Sequence, residues 1–279
     1  MVVGIHLEFC RIAHAKGAKV IIADLCLTKE AEDFIQPGVV FQPCDVGKWD
    51  DLQNLITVSE KLFQDVPDVY VAGAGIFEPT WSNFWNNTED DRYAIVDINV
   101  NHPIKLTRIA MKALLSKSKK GVVAIMSSIA GYTGIYATPL YSATKHALVG
   151  FTRSMADADA VEGIKVVAIC PGIVRTPLWT SRPEVMERYG YDDSIAISSE
   201  EVAEGIAHVI EDGKYGGGTV FEMSKLGTRV IPLWNISPPG GDAENMVEGS
   251  KVPQEALDRV YQPIQAILSK ERGVPFSST

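Results

Sequence analysis

Short hydrophobic runs alternate with stretches of helical periodicity along most of the chain. The runs predict buried strands, and they cover residues 19–24, 39–42, 69–72, 122–126, 165–169 and 219–223. The stretches that predict helices cover about residues 4–16, 49–64, 89–115, 141–157 and 199–211. Because strands that alternate with helices form right-handed βαβ units, we predict an α/β fold, a doubly wound parallel sheet with helices on both faces.

The alternation stops near residue 236. Residues 237–242 read Ser-Pro-Pro-Gly-Gly-Asp and predict a linker. Beyond the linker, apolar residues recur at helical spacing at Leu257, Val260, Tyr261, Ile264, Ile267 and Leu268. We therefore divide the chain into an α/β domain, residues 1–236, and a linker with an amphipathic C-terminal helix, residues 237–279. The helix either packs on its own domain or serves a dimer interface or a substrate gate, and the sequence leaves these alternatives open.

Composition and charge narrow the class of protein. The chain has 279 residues, a net charge of −9 and a pI of about 5.1, so it repels nucleic acid and anionic membranes. Its four cysteines contain no C-x-x-C pair, which favours buried small hydrophobes over a metal or redox site: Cys10, Cys26, Cys44 and Cys170. No apolar stretch approaches the ~20 residues of a membrane span, and Glu8, Arg11 and Lys16 interrupt any signal peptide. We expect a soluble, cytoplasmic protein without a metal.

Polar residues and glycines follow five of the predicted strands. In chain order they are Asp24, Asp45, Gly73–Gly75, Ser127–Ser128 and Pro171–Gly172. Ligands of open parallel sheets bind beyond the carboxyl ends of the strands. One such residue is a weak signal, but five in order along one edge predict a single ligand crevice.

Tyr141 and Lys145 lie one helical turn apart and share a helix face. A tyrosine pKa of about 10 is too high for a base at neutral pH, and lowering that pKa by ~3 units needs ~4 kcal/mol. The Lys145 ammonium, with the positive ring of an oxidised nicotinamide, favours the phenolate. Tyr141 would then exchange a proton with an alcohol or ketone oxygen that Ser128 also binds. A surface tyrosine and a solvated lysine produce this spacing by accident, so the Ser-Ser pair at a strand end supports the chemical interpretation.

Asp24 and Asn99 each have two interpretations. Asp24 either caps a turn or binds the adenosine ribose of a dinucleotide and repels a 2′-phosphate. Leu25 and Cys26 follow Asp24 without an adjacent Arg or Lys, which favours NAD over NADP. Asn99 is either a surface polar residue or a helix-kink residue that holds a proton-relay water.

Together these residues resemble the short-chain dehydrogenase/reductase family. The resemblance rests on Asp24, Asp45-Val46, Ala74-Gly75-Ile76, Asn99, Ser127-Ser128, Tyr141-x-x-x-Lys145 and Pro171-Gly172-Ile173-Val174-Arg175-Thr176. It extends from about Gly4 to Met223. Lys145-His146, residues 150–154 and residues 169–172 are similar to the NAD-dependent 15-hydroxyprostaglandin dehydrogenase branch.

The resemblance implies a Rossmann-like domain that transfers a hydride between NAD(H) and a secondary alcohol or ketone of a hydrophobic small molecule. By resemblance, the catalytic residues are Ser128, Tyr141, Lys145 and Asn99. The cofactor contacts by resemblance are Asp24, Asp45, Gly75, Tyr141, Lys145, Val174 and Thr176. A homo-oligomer is also expected. Aromatic residues in two loops predict an apolar substrate wall, although each could instead anchor its own loop. These residues are Trp81, Phe84, Trp85, Trp179, Met186, Tyr189 and Tyr191.

Two departures from the family pattern matter. Thr138 stands where the prostaglandin branch has a Gln, which argues against a prostaglandin substrate. The family opens with a strand and a T-G-x-x-x-G-x-G loop, whereas here Gly4-Ile5-His6 resembles the end of that loop with His6 in place of the last Gly. The residues before Gly4 span only ~10 Å of extended chain. We therefore expect a domain without its first strand, unstable and weak in binding NAD, and the alternative function is a catalytically impaired nucleotide-binding or regulatory relative.

Overall fold

The computed structural model describes residues 4–79, 81–86, 88, 91–232 and 254–276. The strands are β1 (Val20–Asp24), β2 (Val39–Pro43), β3 (Val69–Ala72), β4 (Gly121–Met126), β5 (Ile164–Pro171), β6 (Val220–Ser224) and β7 (Gly227–Val230). The helices are α1 (Ile5–Ala15), α2 (Lys29–Glu32), α3 (Trp49–Phe63), α4 (Ala94–Val96), α5 (His102–Ser116), α6 (Pro139–Ser154), α7 (Asp157–Glu162), α8 (Pro177–Thr180), α9 (Pro183–Tyr189), α10 (Ser199–Glu211) and α11 (Gln254–Glu271). A π turn (Asp97–Asn101) precedes α5, and a 3₁₀ turn (Ile129–Gly131) follows β4.

The predicted α/β fold is confirmed. A five-stranded sheet has the order β3-β4-β5-β6-β7, in which β3 to β6 are parallel and β7 is antiparallel to β6. Strand β4 shows why the sheet is covered on both faces. Val123 and Ile125 pack into a core with α3 and α5, whereas Ala124 and Met126 pack into a second core with α10. Since both faces are buried, the strand is a continuous hydrophobic run.

A large cavity separates the five-stranded sheet from a second, two-stranded sheet. Strands β1 and β2 pair in parallel with each other, and among the described residues no strand pairs with the edges of β1 and β3 that face the cavity. Both strands line this cavity, whose volume is about 1400 Å³. The expectation that β1 and β3 have no shared neighbour agrees with this arrangement. Helices bridge the gap, because α1 contacts both β1 and α10, and α3 contacts both β1 and α5.

Several predicted boundaries were wrong. The helix predicted over residues 89–115 begins as α4 at Ala94 and passes through the π turn before α5, and residues 89 and 90 lie outside the described residues. Helix α10 spans the predicted residues 199–211, and its cap is Ser198, because Ser198 and Glu201 form a reciprocal capping box with bonds of 3.0 and 2.7 Å. Strand β5 continues through Pro171 instead of breaking there. Strand β7 was not predicted, because its residues are exposed and form no hydrophobic run.

The C-terminal helix α11 lies against α5. Leu268 and Phe276 pack against the core, and Glu271 pairs with Arg108. The other described apolar positions of the predicted stripe remain exposed: Val260, Tyr261, Ile264 and Ile267. The side chain of Leu257 lies outside the described part of the chain. The helix therefore packs on its own domain through one end of its apolar stripe.

Candidate active site

The structure brings the predicted site residues together at the carboxyl ends of the strands. The residues that line the same cavity of about 1400 Å³ are Asp24, Asp45, Gly75, Ser128, Tyr141, Lys145, Val174 and Thr176. Asn99 is fully buried behind the cavity wall. The crevice predicted from scattered strand ends is thus one continuous space.

Asn99 holds the main chain that forms the cavity wall. Its Oδ1 accepts a hydrogen bond from Ile76 N at 2.9 Å, and its Nδ2 donates to Ile76 O at 2.9 Å. Nδ2 also donates to Thr144 Oγ1 at 3.3 Å, which links the wall to α6. Asn99 lies in the π turn, a local widening of the helix that is often found at functional sites. Of its two interpretations, the buried kink residue is the one that the structure supports.

The three polar groups proposed for catalysis are Tyr141 and Lys145, one turn apart on α6, and Ser128, just after β4. The buried Lys145 donates from Nζ to Met126 O at 2.8 Å, and the same Nζ lies 5.5 Å from the centre of the Tyr141 ring. Ser128 follows β4 and hydrogen-bonds the Tyr141 phenol. The Ser128 hydroxyl also accepts a bond from Ala130 N at 3.2 Å, which orients it through the 3₁₀ turn.

The lowered tyrosine pKa was predicted for the combined charge of Lys145 and an oxidised nicotinamide, and the groups of the chain alone act in the opposite direction. Burial raises the pKa of Tyr141 to about 12, although the bond from Ser128 opposes that rise. Burial also lowers the pKa of Lys145 to about 8. Burial disfavours the charged form of each group, which raises the pKa of a tyrosine and lowers that of a lysine. A further positive charge bound in the cavity would favour the phenolate.

The residues expected to contact the cofactor have local partners as well. Asp24 Oδ1 accepts a bond from Leu25 N at 2.6 Å, and Asp45 Oδ1 accepts one from Gly47 N at 3.0 Å, so both aspartates also order turns. Val174 is buried and forms a parallel bridge with Ile197. Thr176 precedes α8 and adopts an extended conformation. These contacts leave the aspartates on the cavity surface.

The wall between β3 and α4 fits a close-approaching ligand. A Cβ on Gly75 would lie 3.4 Å from Asn99 Oδ1 and 3.8 Å from Lys145 Nζ, so the glycine leaves backbone facing these groups. Gly75, Asp24 and Thr176 all line the same cavity. The donors and the bare backbone therefore suit an elongated dinucleotide.

His6 was missed as a structural partner of the site. Its imidazole packs onto Gly73, where a Cβ would overlap Nε2, and that nitrogen is buried without a hydrogen-bond partner among the described residues. Burial, together with the charge of Lys145, lowers the pKa of His6 to about 4. The His6 ring fits against the backbone of residue 73 because that residue is glycine. Only a pairwise contact reveals this, since residues 6 and 73 are distant in sequence.

We expect Gly73→Ala to lower the free energy of unfolding by about 1–3 kcal/mol, because its methyl group would overlap the His6 ring. The loss should be smaller in a His6→Gly background, where the overlap is absent. Urea denaturation of the unmutated protein, the two single variants and the double variant measures this coupling. Gly213→Ala is the matched control, because no atom lies near its Cβ position. Strictly additive losses would show that the two residues do not interact.

Aromatic side chains form one wall of the cavity, as predicted in part. Phe77, which was missed, contacts Tyr141, Trp179 and Tyr189 with ring-centre distances of 4.8, 5.3 and 5.4 Å. Tyr191 stacks on Trp179 from behind. The predicted residues that are exposed and absent from the cavity lining are Trp81, Phe84 and Trp85. Phe77 was missed because a single phenylalanine after a strand has no distinctive pattern.

Comparisons with known proteins assign the family. A family model described as short chain dehydrogenase matches residues 2–187, so the chain belongs to the short-chain dehydrogenase/reductase family. It is 28% identical over 257 residues to 15-hydroxyprostaglandin dehydrogenase (NAD+) of Mus musculus, covering 84% of this chain and 91% of the relative. It is 30% identical over 178 residues to galactitol 2-dehydrogenase of Agrobacterium fabrum, covering 63% of this chain and 68% of the relative.

A solved structure shows the same fold. A variant of actinorhodin polyketide ketoreductase with NADPH superposes with a TM-score of 0.67 at 24% identity, covering 79% of this chain and 91% of that chain. The predicted family and its prostaglandin dehydrogenase relatives are thus confirmed. Family members are oxidoreductases that use NAD or NADP and act on small molecules. In the part of the chain that the structure describes, no helix has the length and apolar character needed to span a bilayer.

Proposed function

We propose that the protein transfers a hydride between NAD(H) and a secondary alcohol or ketone of a hydrophobic small molecule. The observation that carries this proposal is the shared position of Tyr141, Ser128 and Lys145 on one cavity wall beside the bare backbone of Gly75. When bound, the nicotinamide ring supplies the carbon that accepts or donates the hydride. A cytoplasmic location and a homo-oligomeric state belong to the same proposal.

In the proposed reaction Tyr141 is the acid and base. In oxidation, the substrate hydroxyl gives its proton to the Tyr141 oxygen as the hydride leaves the carbinol carbon, so a carbonyl forms and charge balances. Ser128 hydrogen-bonds the same substrate oxygen and holds it beside the phenol. The Lys145 ammonium stabilises the phenolate, and Asn99 keeps the facing wall in place through Ile76. In reduction the proton moves from Tyr141 to the ketone oxygen.

The apolar character of the cavity supports the substrate class. Phe77, Trp179 and Tyr189 all line the cavity, and the Phe77 ring contacts the rings of Tyr141, Trp179 and Tyr189. Ring-rich walls bind apolar bodies and leave a few polar groups to orient them. The buried Thr138 lacks the long amide of the prostaglandin branch, and its Oγ1 has no partner among the described residues. A hydrophobic alcohol other than a prostaglandin fits these observations.

We expect NAD to be preferred over NADP, because Asp24 ends β1 at the cavity and would repel a 2′-phosphate. Replacing Asp24 with alanine should narrow the ratio of kcat/KM for the two cofactors by about tenfold, or ~1.4 kcal/mol. The exposed Asp33, changed to alanine, is the control for loss of one negative charge. Equal use of both cofactors by the unmutated protein would contradict the assignment.

A second candidate is a relative that binds nucleotide or regulates without turnover. Two observations favour it: the facing edges of β1 and β3 are unpaired among the described residues, and the His6 imidazole lies on Gly73 within the cavity. Calorimetric titration with NAD+ and NADH, followed by a turnover assay with a panel of apolar secondary alcohols and ketones, separates the two. Binding without turnover of any member supports the second candidate, and turnover supports the first.

A further inference from the structure

The loop that connects β3 to the aromatic wall holds Tyr141 at two points. The ring of Phe77 meets the Tyr141 ring edge to face, with centres 4.8 Å apart and planes at 86°. The next residue, Glu78, accepts a hydrogen bond at Oε1 from the backbone N of Tyr141 at 3.1 Å. Adjacent residues of one loop therefore contact both the side chain and the main chain of the tyrosine.

Glu78 occupies the position of a helix cap without being part of the helix. Tyr141 is the third residue of α6, and the amide at this position normally bonds the side chain of the N-cap residue. The N-cap residue here, Thr138, makes no such bond, and its buried Oγ1 has no partner among the described residues. The carboxylate of Glu78 takes this place from a loop sixty-three residues upstream. A negative group at a helix N-terminus also complements the helix dipole.

The backbone of Glu78 is held in an uncommon conformation. Its φ is +36°, a region that residues other than glycine rarely adopt because it is strained. Burial raises the pKa of its carboxyl group, and no ion pair to it occurs within the described ranges. The surrounding contacts must therefore stabilise this conformation. Strained residues of this kind cluster where a fold fixes functional groups.

The contacts that hold this loop come from both sides of the cavity. Asn99 bonds the N and O of Ile76, which immediately precedes Phe77. From the segment between α8 and α9, Arg182 donates from its guanidinium to Phe77 O at 3.1 Å. Hydrogen bonds thus hold the loop at Ile76 and Phe77. The hydrogen bond between the Glu78 carboxylate and the Tyr141 amide then joins the same loop to the first turn of α6.

We propose that Glu78 is a positioning residue for Tyr141, whose carboxylate caps α6 from the cavity wall and sets the place of the phenol relative to Ser128 and Lys145. The inference rests on the proposed function, because it assigns Glu78 to the geometry of the proposed acid and base. Glu78 acts through the main chain of Tyr141 and has no contact with the reacting atoms. A glutamine at position 78 would keep an oxygen that can accept the hydrogen bond from the Tyr141 amide, whereas an alanine would not.

The test compares Glu78→Ala with Glu78→Gln. We expect Glu78→Ala to lower kcat on the order of 10- to 100-fold, because small displacements of a catalytic group have large effects, while KM and Kd for the cofactor change less than about twofold. Glu78→Gln should recover most of kcat. Glu204→Ala, an exposed change on α10, is the matched control for loss of a carboxylate.

A second readout makes the contact testable without turnover. Hydrogen exchange of the amides in the first turn of α6 should be faster in Glu78→Ala and close to that of the unmutated protein in Glu78→Gln. The inference is overturned if Glu78→Ala keeps kcat within about twofold, or if Glu78→Gln loses as much activity as Glu78→Ala while its first turn stays protected. An active Tyr141→Phe protein would instead overturn the proposed function, so the two failures are distinguishable.

Discussion

Replacing Tyr141 with phenylalanine is expected to lower kcat by about 10²- to 10⁴-fold, the usual contribution of general acid–base catalysis. The phenylalanine ring keeps the packing against Phe77 but removes the oxygen that hydrogen-bonds Ser128. The Kd for NAD(H) should change little, since Lys145 and the Gly75 backbone remain.

Steady-state kinetics and calorimetric titration with NAD(H) measure the two quantities separately. Tyr261→Phe is the matched control, because this tyrosine lies on α11 and its hydroxyl bonds Asp157 at 3.3 Å, away from the cavity lining. Retention of most of the unmutated kcat by Tyr141→Phe would refute the assignment. Equal losses in kcat and in cofactor affinity would indicate a disturbed cavity instead of a missing proton carrier.

Replacing Lys145 with methionine is expected to abolish turnover and also to weaken cofactor binding. The phenolate loses its nearest cation, and a hydrogen bond from a charged donor to the cofactor ribose, worth about 1.5–3 kcal/mol, is lost. That range corresponds to about 10- to 100-fold in Kd. Lys165→Met is the control, because its amine bonds Val209 O and Ile210 O at the far end of β5. Unchanged NAD affinity in Lys145→Met would contradict the cofactor contact.

The same change should stabilise the protein without cofactor. Burial lowers the pKa of Lys145 from 10.5 to about 8, which at about 1.4 kcal/mol per unit is a penalty of about 3 kcal/mol for folding with the amine protonated. The lost bond to Met126 O offsets about 1 kcal/mol of this. A folded-state pKa below the unfolded one means that the penalty is complete below pH 8 and disappears as the pH rises to 10.5. Urea denaturation of the Lys145→Met and unmutated proteins should show a higher free energy of unfolding for Lys145→Met at pH 7. The difference should be smaller at pH 10.

The desolvation penalty of such a buried lysine is larger than the stabilisation from its hydrogen bond, so a methionine of similar length would give a more stable protein. A lysine at such a position is therefore retained for function. A Lys145→Met protein that is less stable than the unmutated protein at pH 7 would show that desolvation is not the dominant effect. The combined result, higher stability with lost activity, would identify Lys145 as a residue selected for chemistry.

The sequence by itself determined the elements of the parallel sheet and the residues at their carboxyl ends. Strand β4 was readable because a strand buried on both faces must be apolar at every position, and Val123, Ala124 and Ile125 meet that condition. The spacing of Tyr141 and Lys145 predicted a shared helix face for a similar reason, because the period of a helix is local. Rules of this kind can be applied to the sequence alone, because they do not depend on which distant segments pack against the element.

Contacts between distant segments were decided by the tertiary structure. The cap of α6 is Glu78, the partner of Gly73 is His6, and Asn99 bonds Ile76, three pairs whose members lie far apart in the chain. The direction of the Tyr141 pKa shift also depended on burial, which raises this pKa against the hydrogen bond from Ser128. Desolvation and capping depend on which groups the fold brings together and which it removes from water. That is why the sequence indicated the groups proposed for catalysis, while the structure alone showed how they are held.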